Sequence, residues 1–432
     1  MAQHALSDGA AGPSGPSATE RSIRYVLAGY PGGRPEEGIT LPGSVFFVAA
    51  PAAGHVTVTL PLVRELTRRG IEVVYATGAE QIGATEAAGA RGFELPWTLD
   101  AGWLSSERFS TTTFVDFLDG LLTSAAPHLD RLVAQGRERD AAAVCFDAAV
   151  APIGIALAQR LGVPAVSVTG SMAVNEHLPL HRLLPPDFRP DNEALVRHAG
   201  HLAQFSTDQG LDGPLLPMVQ PEVPLRLVFL PAAFQIAADT FDSTWQFVGP
   251  TLAPSEDAAA SDDRPLLVVS LGSAFTDRPD LFRACADAFA GSSWRVVMAT
   301  GRTPLAELGP LPANVEATPW IPQQRLLRQA TAFVSHAGTT AIMEAFSLGV
   351  PLVMLPQVSE HFLNADRVAE LGLGVTLDPT DLSPRTLRDT VEGLAEDTVV
   401  RDRLSWMANE IAATGGAPRA ADAVLELTSA GN

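Results

Sequence analysis

Two residues in the first half of the sequence, His55 and Asp147, have the types and positions that proton transfer requires. His55 follows the apolar run 44–50 and Asp147 follows the apolar run 141–146, and both runs are typical of buried parallel strands. Parallel strands present ligand-binding residues at their carboxyl ends, so both side chains are expected at one edge of a sheet. A histidine alone at such a turn would more often be structural. Beside a carboxylate that fixes its tautomer, we interpret it as a general base.

A second stretch, residues 332–349, predicts an anion site. Residues 332–335 are apolar, as in a short buried strand, and residues 336–340 form a turn of small and polar residues. From there the apolar residues recur at helical spacing until Gly349 ends the segment. A helix start offers free backbone N–H groups and a positive dipole end to a phosphate. The residues that could contact a nucleotide here are His336, Gly338, Thr339, Thr340 and Glu344.

The joint spacing in and after this stretch resembles the nucleotide-sugar signature of family 1 glycosyltransferases, whereas the turn alone would suit an ordinary strand–turn–helix without a ligand. The resemblance is greatest to the bacterial branch of the UDP-glycosyltransferase superfamily that glycosylates macrolides and other natural products. The matching residues are His336, Gly338, Glu344, Pro356, Glu360 and Asn364. The pair Gly54-His55, followed by Pro61, resembles a second motif of that family. There a histidine and an aspartate form the catalytic dyad, roles that the resemblance assigns to His55 and Asp147.

The nucleotide base is expected at Trp320 and Gln323. A flat indole suits stacking on uracil, and the glutamine amide can pair with the base or the ribose. A buried core position is the alternative for Trp320. The neighbouring Pro319 and Pro322 favour instead a rigid loop that presents the indole to a ligand.

The diphosphate and the sugar are assigned to three further positions. Ser273 follows the apolar run 266–271 and could join His336 at the diphosphate. Glu360 and His361 stand where the resembled family has an acid followed by glutamine, which contact sugar hydroxyls. Glu360 fits that pattern, whereas His361 departs from it and leaves the sugar identity open. No D-x-D pair follows a strand at a suitable place, so we expect no required metal.

An acceptor pocket is predicted from a local concentration of aromatic residues in a chain that is only 6% aromatic. The candidate lining residues are Trp97, Trp103, Phe109, Phe114, Phe117 and Met172. Ordinary core packing is the alternative for the same residues. The resemblance adds little here, because acceptor-binding regions diverge within the family.

Length and composition indicate the number of domains, the kinds of partner and the compartment of the protein. A chain of 432 residues exceeds a single core, so two domains are expected. The formal net charge of −20 disfavours nucleic acid or an anionic membrane as a partner. Two cysteines form no disulfide framework, which fits a reducing compartment. No apolar run approaches the ~18 residues of a membrane span and no signal peptide is recognised, so a cytoplasmic location is expected.

The order of apolar and amphipathic segments predicts an α/β fold. The helical pattern over 59–70 lies between two strand-like runs, which makes a right-handed βαβ unit. The resemblance implies the GT-B architecture, in which two Rossmann-like βαβ domains face a cleft and a C-terminal helix crosses back to domain one. The expected parts are a mobile tail (1–42), an acceptor-binding domain (43–252), a linker (253–264), a nucleotide-sugar domain (265–415), and the crossover helix and tail (416–432).

These features together predict an inverting, metal-independent O-glycosyltransferase. It would move a hexose, glucose being favoured, from a UDP-sugar to a hydroxyl of an apolar natural product such as a macrolide or polyphenol. The nucleotide sugar is a co-substrate and no cofactor is required. A TDP-deoxysugar transferase of antibiotic biosynthesis and a non-catalytic nucleotide-sugar-binding protein remain alternatives. A dehydrogenase is disfavoured, because the first turn holds only Gly54 and the second strand ends without an acid.

Overall fold

The computed structural model describes residues 43–98, 109–213, 215–217, 219, 222–250, 263–274, 276–380 and 382–430. The predicted tail over 1–42 and most of the predicted linker over 253–264 lie outside these ranges, as does Trp103. The described chain forms two parallel sheets, as the α/β prediction requires. No helix within these ranges is both long enough and apolar enough to cross a membrane.

The first sheet has seven strands in the order β3-β2-β1-β4-β5-β6-β7. The strands are β1 (Ser44–Val48), β2 (Glu72–Gly78), β3 (Arg91–Leu95), β4 (Ala141–Asp147), β5 (Ala165–Thr169), β6 (Leu225–Val228) and β7 (Trp245–Phe247). The helices of this half are α1 (Ala53–Val56), α2 (Leu60–Arg68), α3 (Ala79–Ala87), α4 (Thr111–Ala125), α5 (Leu129–Glu138), α6 (Ala151–Leu161) and α7 (Glu193–Gln209). The strand order reverses between β1 and β4, where ligands bind in open parallel sheets.

The second sheet has six strands in the order β10-β9-β8-β11-β12-β13. The strands are β8 (Leu266–Ser270), β9 (Arg295–Ala299), β10 (Val315–Thr318), β11 (Ala332–Ser335), β12 (Leu352–Met354) and β13 (Gly374–Thr376). The helices are α8 (Pro279–Ala288), α9 (Gln323–Leu327), α10 (Thr339–Ser347), α11 (Ser359–Glu370), α12 (Pro384–Glu396), α13 (Thr398–Ala413) and α14 (Gly416–Ala430). Its reversal lies between β8 and β11, so the strand before the predicted anion turn is a central one.

Both sheets are covered on both faces, which explains why their central strands are apolar at every position. In β1, Phe46 and Phe47 are both buried but belong to different core clusters. In β8, Val268 and Val269 divide in the same way. This alternation follows from the two-residue period of a strand, which directs neighbouring side chains to opposite faces.

The C-terminal helix α14 returns to the first sheet, as predicted. Its residues Ala420, Ala421, Ala423 and Val424 are buried in a core cluster that also contains β1 residues. Alanines allow the helix to approach α2 closely. Arg69, the residue that follows α2, binds it through Asp422 (Nη1 to Oδ1, 2.5 Å). The helix therefore ties the end of the chain to the first half of the molecule.

Two elements differ from the sequence interpretation. The segment after β1 is interpreted from the sequence as a plain turn, but it contains the single helical turn α1. The edge strand β3 is the second element that the sequence interpretation lacks. That strand reads Arg-Gly-Phe-Glu-Leu, and its charged residues and glycine hide the strand pattern because an edge strand is only partly buried.

Candidate active site

His55 and Asp147 lie in contact at the reversal point of the first sheet. His55 is in α1, directly after β1, and Asp147 is the last residue of the neighbouring strand β4. Nδ1 of the imidazole lies 2.6 Å from Oδ2 of the carboxylate. The backbone N–H groups of Ala50 and Ala149 also donate to this carboxylate, each at 3.2 Å. Asp147 is buried, whereas 44% of the His55 side chain is exposed, so the ring faces the cleft from a fixed support.

This contact shifts the pKa of both groups away from their usual values. Burial acts to lower the pKa of His55, but the charge and hydrogen bond of Asp147, with a smaller contribution from the charge of Glu360, raise it to about 9. Burial acts to raise the pKa of Asp147, but His55 and the two backbone N–H groups hold it below its usual value. Both groups are therefore charged at neutral pH, with the Nδ1–H of the imidazole directed to Asp147.

The predicted anion turn links β11 to α10, as expected. Ala337 has a left-handed backbone (φ +66°), which lets the chain reverse between the strand and the helix. Asn364 of α11 fixes this turn, because its Nδ2 donates to the carbonyl of Ala337 at 3.0 Å and to Oγ1 of Thr339 at 3.1 Å. The first N–H groups of α10 are thus held at the cleft by a side chain from the next helix.

Two glycines make room for the ring of His336. A Cβ at Gly338 would lie 2.3 Å from Nε2 of His336, and one at Gly272 would lie 2.6 Å from its Cε1. Gly338 is predicted to contact the nucleotide and does line the cavity, and its missing side chain also accommodates the histidine. Burial lowers the pKa of His336 to about 4, so the ring is neutral at physiological pH. Its Nδ1 is buried and has no hydrogen-bond partner within the described part of the chain.

His361 packs against His336. The ring centroids are 4.6 Å apart and the planes meet at 85°, an edge-to-face contact. Burial and the neighbouring His336 lower the pKa of His361 well below its usual value. His361 is only 7% exposed but still borders the cavity, so it supports the anion turn and forms part of the cavity wall.

Glu344 of α10 is held by two glutamines of α9. Nε2 of Gln323 donates to its Oε2 at 2.7 Å, and Nε2 of Gln324 donates to its Oε1 at 2.9 Å. Burial raises the pKa of Glu344 against the opposing effect of these hydrogen bonds. Sequence reasoning missed Gln324, although its position beside Gln323 at a helix start was a usable signal. The two amides orient the carboxylate toward the cavity that all three residues line.

Glu360 connects the two halves of the cleft. Its Oε1 accepts hydrogen bonds from Oγ of Ser171 at 3.0 Å and from Oγ1 of Thr339 at 3.1 Å. Ser171 follows β5 of the first sheet, whereas Thr339 begins α10 of the second half. No local sequence pattern pointed to Ser171, because its role depends on how the two halves face each other.

The predicted donor and catalytic residues border one cavity of about 1290 Å³. It is lined by His55, Asp147, Ser273, Trp320, Gln323, His336, Gly338, Thr339, Thr340, Glu344, Glu360 and His361. Trp320 is 74% exposed and so is not a core residue, and Ser273 is also exposed. Within the described ranges, no group of three or more histidine, cysteine, aspartate or glutamate residues could hold a metal ion.

The predicted acceptor residues are only partly brought together. Phe109, Phe114, Phe117 and Met172 line the same cavity. Trp97 does not, and its prediction was wrong: it is 2% exposed in the core, and its Nε1 donates to the carbonyl of Leu121 at 2.9 Å. Sequence alone could not separate these cases, because an apolar wall and an apolar core have the same composition.

Comparisons of the sequence with known proteins identify a family. Residues 287–427 match the family model described as "Erythromycin biosynthesis protein CIII-like, C-terminal domain". The NDP-glycosyltransferase YjiC of Bacillus subtilis is 34% identical over 389 residues, which cover 87% of this chain and 95% of the relative. The demethyllactenocin mycarosyltransferase of Streptomyces fradiae is 32% identical over 433 residues, covering 96% of this chain and 94% of the relative.

Solved structures give the same result for the fold. CalG4, the calicheamicin glycosyltransferase, has a TM-score of 0.75 at 35% identity, covering 90% of this chain and 98% of that one. The glycosyltransferase of kitacinnamycin has a TM-score of 0.78 at 28% identity, covering 90% and 99%. The two facing parallel sheets, the returning helix and these likenesses lead to one conclusion: this chain is a glycosyltransferase that belongs to the family of bacterial macrolide and natural-product glycosyltransferases of the GT-B fold.

Proposed function

We propose that this enzyme is an inverting, metal-independent O-glycosyltransferase that moves a hexose from a UDP-sugar to a hydroxyl of an apolar natural product. The observation that carries the proposal is the 2.6 Å contact of His55 with Asp147 beside the anion turn in one cavity. A macrolide or polyphenol is the acceptor class that suits the apolar side of that cavity. A cytoplasmic location and the absence of nucleic acid and membrane partners belong to the same proposal.

The proton of the acceptor hydroxyl goes to His55. With Nδ1–H directed to Asp147, the neutral imidazole offers Nε2 to the hydroxyl, takes its proton and becomes an imidazolium. The acceptor oxygen forms a bond to the anomeric carbon as the bond from that carbon to the diphosphate oxygen breaks. The electron pair leaves with the nucleoside diphosphate. A single displacement of this kind inverts the anomeric configuration.

The leaving diphosphate is stabilised by groups that the protein itself supplies. The start of α10 offers backbone N–H groups with the helix dipole behind them. The neutral ring of His336 and the hydroxyl groups of Thr340 and Ser273 add donors along the same wall. Fixed donors of this kind do the electrostatic work that a divalent cation does in other transferases.

The donor is proposed to be UDP-glucose, bound through Trp320 at the base, Glu344 at the ribose and Glu360 at the sugar. A TDP-deoxysugar is a second candidate, and two observations favour it. His361 stands where a glutamine would be expected and is packed against His336, so it offers the sugar fewer hydrogen bonds. A relative at 32% identity is named as a mycarosyltransferase.

The test crosses a panel of nucleotide sugars with a panel of apolar hydroxyl compounds and detects products by mass spectrometry. Proton NMR of the product gives the anomeric configuration, and a parallel series in EDTA tests the need for metal. We expect an inverted O-glycoside formed at an unchanged rate in EDTA. A product of retained configuration, or activity lost in EDTA and restored by Mg²⁺ or Mn²⁺, would contradict the proposal.

A further inference from the structure

One histidine borders the cavity outside the machinery described so far. His198 of α7 is 5% exposed and lines the cavity. Helices α4 and α7 pack together to form that wall, and His198 is the only polar residue that the two helices contribute to the lining. Their other lining residues are Phe114, Phe117, Leu118, Leu121, Leu122 and Leu202. A polar ring therefore stands alone in an apolar wall.

The ring of His198 is oriented by Asp119 of α4. Its Nδ1 lies 2.8 Å from Oδ1 of that carboxylate. Burial acts to raise the pKa of Asp119, but the two histidines bonded to it hold the pKa below the usual value, so it is ionised at neutral pH. Because Nδ1 of His198 is bonded to Asp119, Nε2 is the ring nitrogen that is available to a ligand in the cavity. In the neutral ring that nitrogen carries a lone pair and accepts hydrogen bonds.

Joining the two helices does not require a histidine inside the cavity. His201 makes the same kind of contact with Asp119, at 2.9 Å, but 46% of its side chain is exposed and it does not line the cavity. Arg197 and Asp116 form a further bridge between α4 and α7. A bond between these helices is thus available on the outer surface, which leaves the inward position of His198 to be explained.

We propose that Nε2 of His198 binds a second hydroxyl of the acceptor, remote from the one that is glycosylated. A hydroxyl placed against this apolar wall loses water and must find another partner, and the wall offers His198. The acceptor class is therefore an apolar body with at least two hydroxyls. The inference rests on the proposed function, because it takes the apolar side of the cavity as the acceptor site.

The test compares His198→Asn with the matched control His201→Asn. An asparagine amide can still donate to Asp119, but it removes the nitrogen that faces the cavity. Acceptors are used in pairs, a dihydroxylated compound and the same compound with the non-reacting hydroxyl methylated or absent. We expect the wild type to favour the diol in kcat/KM by about tenfold or more. His198→Asn should reduce that ratio to about twofold or less, while His201→Asn keeps it.

Two further measurements keep the outcome clear. Thermal melting checks that each variant folds, and His198→Gln, whose amide oxygen can replace Nε2, should retain the preference for the diol. An unchanged ratio in His198→Asn, or an equal loss in His201→Asn, would overturn the inference while leaving O-transfer intact. If the wild type glycosylates no hydroxyl compound of the panel, both the inference and the proposed function are wrong.

Discussion

The rings of His336 and His361 meet edge to face, with centroids 4.6 Å apart, although one residue precedes α10 and the other lies in the first turn of α11. His361 is buried and His336 is half-buried, and removal of the rings from water lowers the pKa of both. The wall beside the proposed diphosphate position is therefore made of two neutral imidazoles that act as hydrogen-bonding groups rather than charges. A substitution of either histidine therefore removes a surface against which the other ring packs.

His361→Gln is predicted to change the sugar preference. A glutamine offers two donors and a carbonyl where the neutral imidazole offers one donor and one acceptor, so it satisfies a different set of sugar hydroxyls. We expect the kcat/KM ratio between UDP-glucose and UDP-galactose, or a deoxysugar donor, to change by about tenfold or more. His181→Gln, at an exposed position outside the cavity lining, is the control. If the kcat/KM ratio were unchanged for every donor pair, His361 would not contact the sugar.

His55→Ala is predicted to abolish transfer while leaving UDP binding nearly intact. The base acts on the acceptor from the first half of the molecule, whereas the nucleotide is proposed to bind the second. Loss of a general base costs roughly 10²–10⁴-fold in rate. Initial rates and calorimetric titration with UDP measure the two effects separately. If His55→Ala retained more than about a tenth of the wild-type rate, the base would have to be another group.

The dyad also predicts an alkaline rise in activity. The base works only when His55 is neutral, and its pKa is raised to about 9, so kcat/KM should rise with pH and level off above that value. Asp147→Asn removes the charge that raises the pKa, so the rise should move to lower pH even though the maximal rate falls. Profiles from about pH 6 to about pH 10 compare the two proteins. A rise in Asp147→Asn at or above the wild-type position would contradict this account.

Trp320→Ala is predicted to raise the KM for the nucleotide sugar with a smaller effect on kcat. The indole is exposed in the cavity, and stacking on the base is equally present in the ground and transition states, so its loss weakens binding uniformly. Steady-state kinetics with varied donor at saturating acceptor separate the two constants. A collapsed kcat with an unchanged KM would place Trp320 in the reaction geometry instead.

Gly338→Ala is predicted to damage the anion turn. The new Cβ would lie 2.3 Å from Nε2 of His336, so either the ring or the start of α10 must move. Overpacking of this kind costs about 1–3 kcal/mol of stability, and the displaced turn should also weaken UDP binding. The control is Gly393→Ala inside α12, where an added Cβ meets nothing within 4 Å. Equal melting temperatures and equal UDP affinities in both variants would show that the turn tolerates the change.

The sequence could predict which residues line the cavity at many positions, because these residues are concentrated at strand ends. The runs before His55 and Asp147 are buried at nearly every position, so their apolar composition located β1 and β4. Their direct contact also needs these strands to be neighbours, which follows from the strand order and not from any local pattern. The anion turn could be predicted more fully, because strand, turn and helix are consecutive in the chain.

The remaining features depend on tertiary placement. Trp97 and Phe117 have the same apolar character, but one fills the core and the other borders the cavity. The bond from Ser171 to Glu360 joins segments 189 residues apart, and it exists only because the two halves face each other. Asp119 and His198 meet through the packing of α4 on α7, which hydrophobic periodicity alone does not specify.

The return of α14 has a mechanical consequence. The chain passes between the two sheets twice, once between β7 and β8 and once where the N–H of Gly416 donates to the carbonyl of Val248 at 2.9 Å. A Cβ at Gly249 would lie 2.0 Å from Oγ1 of Thr414, so the backbone at Gly249 packs closely against Thr414 at this second connection. A second, closely packed connection restricts how the two halves can move relative to each other more than a single linker would. We therefore expect an opening of the cleft that separates Ser171 from Glu360 to leave the contact between Gly416 and Val248 in place.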